Sequence, residues 1–449
     1  MMKGRTLVRP FSFMRKTLLL LLTLALPLGA DTTVTLLHFS DYHSHASPFY
    51  TDDGERGGIA RAIRYLAREK QRGALVFSGG DTINKGAPAW SDKYGCAEWP
   101  WWNGVVAAMA FGNHDADYGR PAFEQCQRSV TYPLLSANTA GFQRYAVFKT
   151  KGICIGVFAL AGSDFPSLIH VEGFSFSDPT AAAREVVREL REKEHVDAVV
   201  MIGHQHLEAD YAMARAVPGI DLIFGSHSHL KHDLVRIDGT QTWFISPWQY
   251  LGYISRVEMT FDDGRIKNVR GSVVPVEAKM GEDKAIAKRV RQMQGELERD
   301  PAYAELFKPI GDLRQAISVL DLAMFTLDQM RRVAEAEIAL STASSFRGAL
   351  PSGTMTMEKL RDAMPYENEI VVCTMNGVDA QRVLDYSAKF AGTDRESFIA
   401  KPPSIDPSGR YRVATTDFLA NVAYREVFNC EKVKTGKRVR ETVKATLFP

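Results

Sequence analysis

Residues 104–119 read GVVAAMAFGNHDADYG. A run of small and apolar residues, the kind that fills a buried strand, gives way directly to Asn113, His114, Asp115 and Asp117. Polar residues that open a loop usually just make a turn, so the reading depends on whether other strands end alike. They do. TVTLLHFSDYH at 33–43 runs into Asp41 and His43, and LVFSGGD at 75–81 into Asp81. VVMIGH at 199–204 ends on His204, and LIFGSHSH at 222–229 on His227 and His229. In open α/β sheets, ligand sites collect beyond the carboxyl ends of the strands. Each residue alone reads as a turn former or a locally satisfied histidine. Recurrence at five strand ends reads as one shared site.

Between the apolar runs lie GGIARAIRYLAREKQ at 57–71 and PTAAAREVVRELREKE at 179–194, with apolar residues at helical spacing. Strands alternating with helices imply a layered α/β fold. A length of 449 residues implies two or more domains. The charged, helix-patterned stretch GEDKAIAKRVRQMQGELERD at 281–300 follows the last apolar strands, so residues 281–310 read as a helical linker. It would join a first domain over 31–280 to a second α/β domain over 311–449. KVKTGKRVRETV at 432–443 alternates charge with valine and reads as an exposed hairpin.

The first thirty residues stand apart. Lys3, Arg5, Arg9, Arg15 and Lys16 precede a short apolar core and the small-residue ending Leu28-Gly29-Ala30, the pattern of a secretory signal peptide cleaved after Ala30. The apolar run is short for a membrane span. Removing it takes five positive charges from a net +2, leaving about −3. That balance supports neither nucleic-acid binding nor an anionic membrane surface. Export to an oxidising compartment, periplasmic or extracellular, makes Cys96 with Cys126 a possible pair, and five cysteines leave at least one thiol over.

The strand-end residues suggest a two-metal centre. Asp and neutral His ligate zinc, manganese or iron. Seven such residues exceed what one tetrahedral ion needs, and one carboxylate can bridge two cations. Two metals about 3.5–4 Å apart lower the pKa of a bridging water and clamp a phosphoryl group. Asp-x-His and His-x-His place their side chains on one face if locally extended.

DYH, GGD, GNHDAD, GH and GSHSH, in this order, resemble the calcineurin-like metallophosphoesterases, and their spacing resembles the exported 5′-nucleotidase/UDP-sugar hydrolase family. The resemblance implies a layered metallophosphoesterase β-sandwich flanked by helices, plus a smaller C-terminal α/β domain. It implies that Asp41, His43, Asp81 and His229 hold one divalent ion, and that Asp81, Asn113, His204 and His227 hold a second, with Asp81 bridging. His114 would be the catalytic histidine, oriented by Asp117. The implied reaction is in-line attack of a metal-activated hydroxide on phosphorus, with His114 stabilising or protonating the leaving oxygen. His45, His206, Asp115, His38, His232 and Asp233 read as supporting, structural or loop residues, with His206 the fallback for His204. The aromatic run at 99–102 has two readings, a substrate platform and an apolar helix cover, and the cover is favoured.

AEIALSTASSFRGAL at 336–350, MPYENEIV at 364–371 and YRVATTDFLA at 411–420 resemble the C-terminal domain of the same family. By that resemblance Arg347 meets phosphate and Tyr366 and Phe418 sandwich a base, with Asn368 and Arg314 as further candidates. Base stacking on aromatics is worth about 1–3 kcal/mol per base, and arginine binds phosphate bidentately. Two segments depart from the family. Thr342-Ala343-Ser344-Ser345 replaces its Asn-x-Gly-Gly, and NVAYRE at 421–426 stands where a Gly-Gly-Asp-Gly would offer a ribose-binding carboxylate. The sequence therefore predicts an exported dinuclear phosphohydrolase, a 5′-nucleotidase acting on nucleoside monophosphates. The alternatives are a phosphodiesterase for cyclic nucleotides or nucleotide sugars, a phosphatase for another ester, and a non-catalytic nucleotide-binding surface protein. A sulfur-oxidation thiohydrolase is disfavoured because the Asn113-His114 pair is kept.

Overall fold

The computed structural model describes Met1 and residues 31–86, 88–168, 173–393 and 395–449. The expected signal peptide, Met1 apart, lies outside the described residues. Two six-stranded sheets form the first unit. One runs Arg265–Pro275, Tyr253–Asp262, Thr32–Phe39, Leu75–Ser78, Ala108–Ala110, Leu134–Leu135. The other runs Lys231–Arg236, Trp243–Pro247, Leu222–Phe224, Ala198–Met201, Ile153–Phe158, Tyr145–Thr150. Their inner faces share one apolar layer, with Val34, Leu36, Phe77 and Ala108 from the first and Ile155, Val157, Val200 and Phe224 from the second. Helices cover the outer faces. Ile59–Gln71 buries Ile59, Ala62, Ile63 and Leu66 over one sheet, and Pro179–Glu192 buries Ala183, Val186 and Leu190 over the other.

The central strands of each sheet run parallel, which is what gathers the site. Thr32–Phe39, Leu75–Ser78 and Ala108–Ala110 are mutually parallel neighbours, as are Ala198–Met201 and Leu222–Phe224. All five carboxyl ends therefore open toward the same edge of the sandwich.

The helix Lys284–Arg299 follows, capped by the Asp283 side chain. Despite its charge it buries Val290, Met293 and Leu297 against the helical side of the first unit. The C-terminal unit is a five-stranded sheet in the order Ser397–Ala400, Ile338–Thr342, Arg410–Thr416, Glu369–Asn376, Lys432–Arg438. Val319–Ala334 covers one face and Gly377–Ala388 the other. The hairpin expected at 432–443 is absent: Lys432–Arg438 is a strand paired with Glu369–Asn376, and Val439–Leu447 is a helix. Val439 and Val443, four residues apart, bury one helical face, and that packing overrides the local alternation. His232 and Asp233, expected in a loop, lie in the strand Lys231–Arg236.

Cys96 and Cys126 are disulfide-bonded, as are Cys373 and Cys430, leaving Cys154 as the free thiol. The second pair had no local signature, because its members come from a strand and a loop 57 residues apart. Trp99 and Trp102 are buried in the core under the first sheet, so the aromatic run is a cover and not a platform. Among the described residues no helix is long and apolar enough to cross a membrane.

Candidate metal centre

The loops beyond the strand ends are tied to one another by backbone. Asp41 N donates to Gly80 O (3.1 Å), His43 N to Asp81 O (3.0 Å) and Ser44 N to Thr82 O (2.9 Å). Such close approach needs glycine. A Cβ on Gly80 would stand 2.6 Å from Gly112 N, and one on Gly112 would stand 2.2 Å from Asp81 N. Asp115 locks the junction from beneath. Its carboxylate accepts from Asp81 N (3.1 Å), Gly112 N (2.9 Å), Thr82 N (2.8 Å) and the Thr82 hydroxyl (2.6 Å). Asp115 thus clamps the loop that places Asp81.

The local geometry differs from the extended arrangement read from Asp-x-His and His-x-His. Asp41, His43, Asp81, His227 and His229 all have left-handed φ, between 49° and 64°. Each such non-glycine residue costs about 1–2 kcal/mol, and strain of this kind concentrates where function fixes the backbone.

Three donor sets result, two of them joined through Asp81 and the third, Asp164, His206 and His227, sharing His227 with one of these. In Asp41, His43, Asp81 and His229 each residue offers one ligand atom within 4.8 Å of the others, and the same holds for Asp81, His204 and His227. Asp81 belongs to both. His43 Nε2 and His229 Nε2 stand 3.0 Å apart, and Asp41 Oδ1 is 3.1 Å from His229 Nε2. Two imidazole nitrogens at that separation must share a proton or a cation. Asn113 is 7% exposed, and its Oδ1 has no hydrogen-bond partner among the described residues. A buried carbonyl oxygen left unpaired costs free energy and suits a cation. The nitrogen and oxygen donors, without sulfur, fit borderline-hard divalent metals.

The outer nitrogens of the histidines are held. His43 Nδ1 lies 3.3 Å from Ile83 O, His204 Nδ1 2.6 Å from Gly79 O, and His227 Nε2 3.1 Å from Asp164 Oδ2. This is the usual support for metal-ligating imidazoles, fixing the ring and the tautomer. Asp164 was missed in the sequence; it follows a strand that carries no other candidate, so only the tertiary fold brings it to His227. His206, the expected fallback for His204, instead sets its Nε2 3.3 Å from the same Asp164 oxygen.

The charges are strongly coupled. Burial pushes His204 down, but Asp81 and Asp41 outweigh it and raise the imidazole to about 10. Burial opposes ionisation of Asp81, yet His204, His114 and His43 hold its carboxyl below the usual range. The site demands positive charge beside Asp81, and a divalent cation meets that demand by displacing the His204 proton.

His114 stands at the mouth of this centre, with 27% of its side chain exposed. Its Nδ1 is 2.8 Å from Asp117 Oδ2, and its backbone N donates to Asp81 Oδ1 at 2.8 Å. Burial disfavours its charge, but Asp81 and Asp117 prevail and raise its pKa. From the other domain comes Arg347, 4% exposed; burial chiefly holds His43 and His229 down, and the Arg347 charge adds to that and opposes the rise at His114. Its guanidinium donates to the Tyr250 hydroxyl (3.3 Å), the Tyr366 hydroxyl and Ser344 O (3.3 Å). Tyr366 and Phe418 are 39% and 44% exposed. Asn368 is half-buried and accepts from Val439 N at its backbone carbonyl, while Arg314 is exposed past the strand Pro309–Leu313. Among the readings as support, His45 lies flat on Tyr250 with ring centroids 3.4 Å apart, and His38 is buried against Phe224.

Residues 34–231 match the family model described as calcineurin-like phosphoesterase, and residues 311–400 that described as 5′-nucleotidase, C-terminal domain. Protein UshA of Yersinia enterocolitica is 26% identical over 86% of this chain and 85% of its own length. A 5′-nucleotidase of Vibrio cholerae is 26% identical over 80% of this chain and 76% of its own. The crystal structure of a 5′-nucleotidase precursor from Thermus thermophilus shares the fold with a TM-score of 0.70 at 21% identity, over 93% of this chain and 96% of that one. A sulfate thiohydrolase, SoxB, from Thermus thermophilus also gives 0.70, at 20% identity over 92% and 94%. Fold and site define a metal-dependent phosphoric ester hydrolase. More particularly, residues 34–231 form a calcineurin-like phosphoesterase domain and residues 311–400 a 5′-nucleotidase C-terminal domain, the pair matched along its length by UshA and 5′-nucleotidase relatives.

Proposed function

We propose that this chain is an exported 5′-nucleotidase that holds two divalent cations, zinc, manganese or similar, and releases phosphate from nucleoside monophosphates. The observation that carries the reading is the sharing of Asp81 between two donor sets, with His114 of the same domain and Arg347 of the other beside them. Cations bound there supply a nucleophilic water at neutral pH and offset phosphoryl charge. The remaining work falls to the chain's own groups. Arg347 binds phosphate oxygens through a planar fork. Asp117 holds His114 by Nδ1, so that Nε2 carries the proton that meets the leaving oxygen. Asp115 keeps the Asp81 loop from relaxing. Tyr366 and Phe418 offer exposed rings to a base. Two disulfides accord with an oxidising, exported location.

A non-nucleotide phosphate ester is the second reading. It is favoured by the segment after Phe418: Asn421 spends its amide on Asp417 O (2.9 Å), and Glu426 accepts from the Tyr386 hydroxyl (3.3 Å). No aspartate stands in 421–426 to meet ribose hydroxyls.

The deciding experiment is phosphate release by residues 31–449 with manganese or zinc. The substrates are AMP, UMP, a nucleotide sugar, a 2′,3′-cyclic nucleotide with added monoesterase, and a sugar phosphate. The expected result is a clear preference for a nucleoside monophosphate. Equal turnover of all esters would move the substrate to the second reading, and no release with either metal would overturn the proposal.

A further inference from the structure

The segment 247–252 carries the most concentrated strain outside the donor loops. Trp248, Tyr250 and Leu251 have φ of 70°, 58° and 57°, three left-handed non-glycine residues within four positions. At about 1–2 kcal/mol each, such a turn persists only where the surroundings over-determine it. What fixes it is contact on two sides. Tyr250 N donates to Asp41 O at 2.8 Å. The Tyr250 ring is fully buried, lies flat on His45 at an interplanar 15° and meets His43 edge-on at 5.9 Å. On the far side its hydroxyl accepts from Arg347 Nη1 at 3.3 Å, and Gln249 Nε2 donates to Arg347 O at 3.1 Å. One strained turn thus touches the backbone of a donor residue and both ends of the arginine from the other domain.

Donor counting gives this contact a purpose. A guanidinium has five N–H groups in a rigid fork. Among the described residues, Ser344 O takes Nε–H, the Tyr250 hydroxyl one hydrogen of Nη1 and the Tyr366 hydroxyl one of Nη2. One N–H remains on each terminal nitrogen, the pair a phosphate takes bidentately. The guanidinium also lies over both rings, 5.9 Å from the Tyr250 centroid and 5.0 Å from that of Tyr366.

We propose that Tyr250 is a positioning residue for phosphate recognition: its hydroxyl, opposite that of Tyr366, sets the plane of Arg347 so that the two remaining N–H groups face the phosphate. The turn 247–252 thereby couples Arg347 to the loop that carries Asp41. This inference rests on the phosphohydrolase reading for its ligand but not on the identity of the ester.

Tyr250→Phe keeps the ring on His45 and removes only the oxygen. For the manganese-loaded chain it should raise KM for p-nitrophenyl phosphate about tenfold, the scale of one hydrogen bond to a charged group. Binding of inorganic phosphate, read by calorimetry, should weaken by a similar factor. The fall in kcat should be much smaller, and manganese affinity should hold. Tyr366→Phe, at an exposed ring, removes the other hydroxyl with little risk to folding and should act in the same direction. In an Arg347→Gln background, Tyr250→Phe should add nothing. Unchanged phosphate affinity in Tyr250→Phe or Tyr366→Phe, or a Tyr250 effect of equal size without Arg347, would overturn the inference. Failure of the hydrolase reading looks different: the unaltered chain would hydrolyse no ester, while phosphate binding would still report on Tyr250.

Discussion

His114 and Asp164 separate two tasks at the same centre. His114 is in none of the donor sets; it faces the opening and answers to Asp117. His114→Ala should leave metal content near that of the unaltered chain and lower turnover by about 10²–10⁴, the range for a general acid. Metal analysis beside a rate assay checks this, and unchanged turnover would remove His114 from the reaction. Asp164 acts one step back. It receives His227 Nε2, which leaves Nδ1 as the lone pair for a cation. Asp164→Asn removes the charge behind that ring. It should lower cation affinity about 10–100-fold, as loss of such supports does, with the folded chain otherwise intact. Titrating the metal-stripped chain with manganese measures it directly. Equal affinities would mean that His227 needs no carboxylate behind it.

At the level of elements, five strand ends were legible because parallel strands with polar endings are a pattern in sequence, and the topology put all five on one edge. The conformation of those endings was not legible. Asp41, His43, Asp81, His227 and His229 take left-handed backbone that propensity assigns to glycine, and only loop-to-loop hydrogen bonds and the Asp115 clamp compel it. Asp164 and Tyr250 escaped for a related reason: neither follows a motif, and each matters through a partner more than 60 residues away in sequence. The segment 99–102 teaches the converse. Its tryptophans read as a cover and are one, but the acid that precedes them is a titratable group the pattern hid. Glu98 is buried, accepts from the Tyr42 hydroxyl at 3.1 Å and from Trp90 Nε1, and burial raises it from 4.5 to about 7. The folded chain therefore holds a proton that the unfolded chain has released, so this contribution to stability is full below pH 4.5 and is lost as pH rises toward 7. Glu98→Gln cannot lose that proton. Between pH 5 and 8 the variant should gain roughly 2–3 kcal/mol on the unaltered chain. Urea unfolding at the two pH values tests this, and parallel curves would show that Glu98 carries no such proton.

Across the whole molecule an occupied centre would also be a stability device, because its donors follow strands of both sheets. Cations held by them would brace the sandwich at its open edge. The second domain is tied to that edge by Arg347, by Ala89 N donating to Glu358 Oε1 at 2.6 Å, by Val319 N donating to Asp52 at 2.9 Å and by Ala349 N donating to Tyr50 O at 3.1 Å. A ligand that binds only the folded state stabilises it by mass action, about 4 kcal/mol at a thousandfold excess over Kd. Manganese should therefore raise Tm strongly in the unaltered chain. Asp81→Asn strikes both of the sets it joins and should abolish most of that shift. His229→Ala strikes one set and should leave a substantial part of it. Scanning calorimetry with and without manganese separates the three cases. If Asp81→Asn shifted no less than His229→Ala, Asp81 would not join the two sets, and the bridging geometry that distinguishes a dinuclear centre from two independent ions would fail with it.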